Sequence, residues 1–143
     1  MNKLEKNTEI FQYTTDDFHS DGNDILVLGI GNYLMGYNYY KKKDYNNATN
    51  YFLKAVTALK NDNNTANRQQ VYPDAEIRLA DCYFMQKQYK QAAQYYTDVI
   101  NVNAPGADYA LYQKAIIDGL GGNYNDKIAG MNALVSRFPN SAF

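Results

Sequence analysis

The sequence predicts an all-α chain, a solenoid of about three helix–turn–helix repeats, from three observations. Three stretches align with one another, Asp44–Val56, Gln88–Ile100 and Asn123–Leu134, each placing a tyrosine directly after a short polar turn. Within them apolar residues recur at spacings of three and four, the period of a helix, and no strand-like alternation lies between them. Upstream of Tyr45, Tyr89 and Tyr124 lies a second segment of the same period, so each tyrosine joins two helices.

Residues 1–23 do not fit the repeat. Leu4, Ile10, Phe11, Tyr13 and Phe18 are enough to dock this segment, whose structure the sequence leaves open. The repeats occupy 24–143, in units of about 24–60, 72–104 and 107–141. The first helix of unit one spans Ile25 to Lys42, with Asp21 or Asn23 as N-cap. Lys41, Lys42 and Lys43 close it, where cations meet the negative end of the helix dipole. The Asn-rich run Lys60–Asn67 has poor helix propensity and good turn chemistry, and is expected to be an exposed loop. It accounts for the uneven spacing of the tyrosines, 44 residues from Tyr45 to Tyr89 but 35 from Tyr89 to Tyr124. In unit two the first helix runs from about Pro73, a favoured first-turn residue, to Lys87, and carries Ile77, Ala80, Tyr83 and Phe84. In unit three it follows Pro105-Gly106, runs from about Asp108 to Leu120, and stops at Gly121-Gly122.

Composition excludes several classes of function. Of 143 residues 45% are hydrophobic and 20% charged, close to globular averages, which argues against wholesale disorder. The longest apolar run, around Ile25–Leu28, falls far short of the roughly 18 residues of a membrane span. No basic segment leads into an apolar stretch, so no signal peptide is expected. Fourteen basic against 15 acidic residues leave a net charge of −1, without the basic footprint of a nucleic-acid binder. Cys82 is the single cysteine and His19 the single histidine. A catalytic thiol needs a base, and His19 belongs to the non-repeat segment, so Cys82 beside Tyr83 reads as a small packing residue. His19 lies near Asp16, Asp17 and Asp21, where a capping loop explains the same residues as a metal site does. Gly29-Ile30-Gly31 and Gly119-Leu120-Gly121-Gly122 follow no strand, as a phosphate-binding loop must. They read as close helix packing and a helix stop. No enzyme, cofactor or metal is expected.

The residues that repeat resemble the tetratricopeptide repeat family, over roughly Gly29 to Ser141. Unit one supplies Met35, Gly36, Tyr39, Tyr45, Ala48, Phe52 and Ala55 of the family's signature. Unit two supplies Leu79, Ala80, Tyr83, Tyr89, Ala92, Tyr96 and Val99, with Pro105 one place beyond the usual closing proline. Unit three keeps Ala115, Tyr124, Leu134 and Pro139. There Lys114, Asp118 and Lys127 hold positions that are usually apolar, aromatic and small. Its ending, Arg137-Phe138-Pro139-Asn140-Ser141, is similar to bacterial envelope-associated repeat proteins of the Tol–Pal-associated and outer-membrane-assembly kind. The resemblance implies a right-handed superhelix whose first helices line a concave, peptide-binding face.

Carried over by position, unit one presents Tyr33, Tyr37, Tyr40 and Lys41 to that face. Unit two presents Asp74, Ile77, Asp81, Phe84 and Met85, and unit three Tyr109, Tyr112, Ile116 and Leu120. Family members that grip a C-terminal carboxylate carry Lys and Asn where this chain has Tyr33 and Tyr37, so that activity is not implied. The expected function is non-catalytic interaction with a protein or peptide through Tyr33, Tyr37, Tyr40, Lys41, Ile77, Asp81, Phe84 and Tyr112. Two alternatives stand beside it, a structural segment of a longer array and glycan binding through exposed tyrosines. Ile128, Met131, Leu134 and Val135 are expected to leave a partly exposed apolar strip, open to self-association or to further repeats. Neither nucleic acid nor membrane insertion is expected. The compartment is the periplasmic side of a bacterial envelope if the chain belongs to a longer protein, and the cytoplasm otherwise.

Overall fold

The computed structural model describes residues 26–143. The expectations for residues 1–23, including His19 and the N-caps Asp21 and Asn23, lie outside the described residues. Six α-helices follow in chain order, and no strand occurs among the described residues. A π-helical turn, Leu26–Gly31, runs into α1 (Asn32–Lys41), which is followed by α2 (Tyr45–Leu59). A second π-helical segment, Asn67–Val71, leads into α3 (Tyr72–Met85) and then α4 (Tyr89–Asn101). The last pair is α5 (Ala107–Leu120) and α6 (Tyr124–Arg137). Together they form the all-α helical-repeat architecture that the periodicity predicts. The chain divides into two compact units, Met1–Ala75 and Glu76–Phe143.

In the first unit the core is Ile30, Tyr33, Leu34, Ala48, Phe52, Ala55, Val56, Leu59 and Ala75, all buried. Its tightest point is Gly36, where a Cβ would stand 2.6 Å from the Phe52 ring. Gly29 leaves room for Leu59 in the same way, with 2.7 Å to its Cδ2. In the second unit one cluster gathers Ile77, Ala80, Ala92, Tyr96, Val99, Ile100, Ala107, Ala110, Leu111, Ile117 and Leu134. Cys82 is buried as a packing residue.

The turns between paired helices are the same turn three times. Lys43 and Lys87, at φ 60° and 61°, and Gly122, at φ 80°, take the left-handed conformation at equivalent positions. The amide three residues past each helix end then reaches back across the turn. Asp44 N donates to Tyr39 O at 3.0 Å, Gln88 N to Tyr83 O at 2.9 Å and Asn123 N to Asp118 O at 2.8 Å. Such closures satisfy carbonyls that the helix end leaves open. Asp44 also caps α2, accepting from Asn47 N at 3.2 Å.

Two expectations change. The Asn-rich stretch is a loop only to Asn64, and helical turns begin at Thr65. Asp62, buried, organises that entry by accepting from Asn64 N at 2.9 Å and Asn67 Nδ2 at 2.7 Å. On α6, Ile128 and Val135 are exposed (58% and 69%), but Leu134 is only 4% exposed. Leu134 belongs to the core of the second unit, so the open strip is narrower than its period suggests.

Two substitutions test this packing. Ala92→Leu is expected to overpack the second unit by about 1–3 kcal/mol, read as a lower urea midpoint. Lys87→Gly relieves a left-handed cost of about 1–2 kcal/mol against a glycine entropy cost of about 0.5–1. A net gain of about 0.5–1 kcal/mol is expected, and a loss would place the turn elsewhere.

Candidate functional site

In the first unit, Tyr33, Tyr37 and Tyr40 fall at i, i+4 and i+7 of α1 and share one face. Their rings meet edge to face, Tyr33 on Tyr37 at 5.0 Å and Tyr37 on Tyr40 at 6.4 Å. Phe52 backs them, 5.4 Å from Tyr37 and 6.3 Å from Tyr33. The two inner hydroxyls are occupied: Tyr33 donates to Asp74 Oδ2 at 2.5 Å, and Tyr37 donates to the same oxygen. Burial raises the Tyr33 phenol far above its ordinary range, and Tyr37 and the Asp74 carboxylate raise it further. Tyr33 is 2% exposed, Tyr37 and Tyr40 are half-buried, and Lys41 is exposed. Tyr40 and Lys41 therefore form the accessible end of the row.

In the second unit a carboxylate again collects tyrosines. Asp81, buried, accepts from the Tyr96 hydroxyl and from Tyr109 at 3.0 Å through Oδ1. Arg78 Nη1 holds Oδ2 at 2.6 Å. The Arg78 guanidinium also lies over the Tyr109 ring, 5.8 Å from its centroid. Burial, reinforced by Asp81, raises the Tyr96 phenol strongly. Ile77 is buried in the core, where Gly106 at φ 90° makes room for it: a Cβ there would meet Ile77 Cδ1 at 2.5 Å. Phe84 and Tyr112 are half-buried.

The chain itself covers part of this surface. Ser141 Oγ donates to Asp108 Oδ2 at 2.8 Å, and the Phe143 ring lies 5.3 Å from Tyr109 and 5.7 Å from Tyr112. Helical periodicity carries no signal for this contact, because residues 138–143 follow the last helix. Of the eight residues expected at a binding face, Tyr33, Ile77 and Asp81 are buried. Tyr37, Tyr40, Lys41, Phe84 and Tyr112 keep accessible surface. Among the described residues no cluster of His, Cys, Asp and Glu has the makings of a metal site, and no helix is long and apolar enough to cross a membrane.

Paired helices, a small residue on the first helix facing a large one on the second, and the same left-handed turn within each pair define a helix-pair repeat protein. Two sequence profiles described as tetratricopeptide repeat match the chain, one over residues 31–62 and the other over 74–103 and 109–141. The chain belongs to the tetratricopeptide repeat family. A search of curated proteins gives no match. Repeats of this family are generally protein–protein interaction modules and typically non-catalytic scaffolds.

The buried phenols set the response to alkali. An unfolded phenol releases its proton near its usual 10.0, whereas Tyr33 and Tyr96 in the fold keep theirs well above that. Above pH 10 the unfolded state therefore binds fewer protons, and stability falls as pH rises. Their contribution is whole below that pH. Urea midpoints at pH 8 and pH 11 should show this loss, with a shallower fall for the Tyr33→Phe/Tyr96→Phe variant.

Proposed function

We propose that the chain is a non-catalytic module that binds a peptide or a segment of a partner protein on the faces of its first helices. The observation that carries this reading is the division of labour among the tyrosines. The inner hydroxyls of Tyr33 and Tyr37 are committed to Asp74, and those of Tyr96 and Tyr109 to Asp81. Rings beside them, Tyr40 in the first unit and Phe84 and Tyr112 in the second, retain accessible surface on a support that cannot rotate freely. Rigid aromatic rings give contact area at low entropic cost, which suits them to anchor a peptide. Lys41 adds a cation beside Tyr40, favouring an acidic residue in the partner.

A second reading, a segment of a longer array, is supported by α6. Tyr124, Ile128 and Val135 are 64%, 58% and 69% exposed at i, i+4 and i+11. An apolar strip of this kind suits a neighbouring repeat or a second copy.

Selection of binders from a random peptide library tests the first reading. Selected peptides should lose at least tenfold in affinity for Tyr40→Ala or Phe84→Ala, while circular dichroism and melting temperature stay at native values. Peptides that bind the native chain and both variants equally would sink it. Light scattering across concentration tests the second: Ile128→Lys/Val135→Lys should abolish any association that the native chain shows.

A further inference from the structure

Among the departures of the third repeat, one removes a pair of stacked rings that the other two share. Tyr39 on α1 stacks on Tyr51 of α2, with ring centroids 5.3 Å apart and planes within 10°. Tyr83 on α3 stacks on Tyr95 of α4 in the same way, at 6.0 Å and 10°. Register steps of 44 and then 35 residues carry this pair onto Asp118 of α5 and Gly130 of α6. Neither has a ring. Where the stack is missing, a cleft of about 440 Å³ opens among α4, α5 and α6, with Asp118 and Gly130 in its lining. That volume lies within the roughly 300–1,000 Å³ of ligand pockets.

The cleft mixes apolar and polar lining, with apolar side chains at its base and charged or amide side chains around its edge. Ile100, Leu111 and Ala115 are buried within it, and Asn101, Asp126 and Arg137 are exposed at its mouth. Gly130 lets α6 approach α5 so closely that a Cβ there would stand 3.3 Å from Ala115 Cβ. On the α6 side the small residues Ala129, Gly130 and Ala133 form the wall between Asp126 and Arg137. Lys114 Nζ holds Asp118 Oδ2 at 3.0 Å, which fixes the carboxylate and leaves Oδ1 as an acceptor. Tyrosine hydroxyls elsewhere in this chain choose the same partner: Tyr33 and Tyr37 donate to Asp74, Tyr96 and Tyr109 to Asp81.

We propose that this cleft receives a tyrosine side chain from a partner protein, its ring lying over Ala115 and Gly130 and its hydroxyl donating to Asp118. The third repeat lacks the ring pair that the other two supply for themselves, and takes its ring from outside. The site is distinct from the first-helix faces, and it uses none of the residues placed there. A ring with an apolar body and a polar tip suits a preformed cleft that offers both apolar side chains and an acceptor for its hydroxyl.

The probe is p-cresol, the tyrosine side chain as a free molecule, titrated into the ¹⁵N-labelled full chain by NMR. Saturable shifts are expected at the amides of Ala115, Gly130 and Ala133. 4-Methylanisole, the same ring without a donor, should bind several-fold more weakly. Asp118→Tyr, which supplies a ring in cis, should abolish binding with the melting temperature unchanged or raised. Ala129→Phe, an exposed α6 residue lining the cleft, should block the mouth if Asp118→Tyr fails to fold. The proposal is overturned by the absence of saturable shifts at these amides, or by native affinity in a folded blocking variant. Equal binding of the two probes would remove the hydroxyl, and with it tyrosine, from the assignment.

Discussion

Everything in the repeats depends on how closely two helices of a pair approach. At Gly36 there is no space for even a methyl group, because the Phe52 ring would stand 2.6 Å from it. Ala80 opposite Tyr96 in register, and Ala115 opposite Met131, extend the rule of a small residue on the first helix and a large one on the second. Phe52 and Tyr96 reach 0% exposure only because of it. Side chains that fill such a seam cannot be changed in volume without strain, since protein interiors are packed like crystals. The left-handed turns at Lys43, Lys87 and Gly122 follow from the same demand. A chain must reverse within three residues to bring the second helix back at this distance, and one left-handed residue achieves that.

The abundance of tyrosine then acquires a physical meaning. A buried tyrosine must place its hydroxyl on an acceptor, because an unmet polar group in the interior costs about 1–3 kcal/mol. Asp74 and Asp81 provide those acceptors, one for the first unit and one for the second. Both stand on α3. Positions that family resemblance assigns to a ligand face thus divide in two. Tyr33, Ile77 and Asp81 are buried, Tyr33 and Asp81 bonded as a framework, and the rings of Tyr40, Phe84 and Tyr112 remain accessible on the supports.

Much of this was legible in the sequence, and the reasons it was differ by residue. The helix pairs, the small residues at Gly36, Ala48 and Ala92 and the stop at Gly121-Gly122 follow from period and from steric necessity, which are local. Ala48 and Ala92 are fully buried. The Asn-rich stretch was harder. Its composition favours turns, yet from Thr65 onward the approach of α3 imposes helix, with Asp62 and Asn64 tying the entry. Leu134 looks like part of an open strip by period alone, but the strip's edge is decided by where α6 sits on α5, a tertiary fact. Phe143 on Tyr109 and Tyr112 is a contact across more than thirty residues, and nothing in the spacing of either segment announces it. The cleft did leave a trace. Asp118 at an aromatic position marks it, once Gly130 is seen to be its partner.

The third repeat shows how far the packing rule can bend without losing the fold. Its second helix carries Lys127 where the others carry Ala48 and Ala92, an exchange that should hold the helices apart. On the first helix, the position of Tyr40 and Phe84 is taken by Gly119. A Cβ at Gly119 would stand 2.9 Å from Lys127 Cδ, so the lysine stem lies in space that the glycine has vacated. Large and small have changed sides. The seam needs one of each at that level and is indifferent to which helix supplies which. The lysine stem and its ammonium both lie against Gly119, while the residue as a whole stays exposed. At the level of Asp118 and Gly130 no such exchange occurs. Both rings are gone and neither helix supplies a large apolar group in their place. A repeat that corrects one loss of volume by trading sides, and leaves the adjacent one open beside a held carboxylate, keeps its fold through the first pair and its cleft through the second.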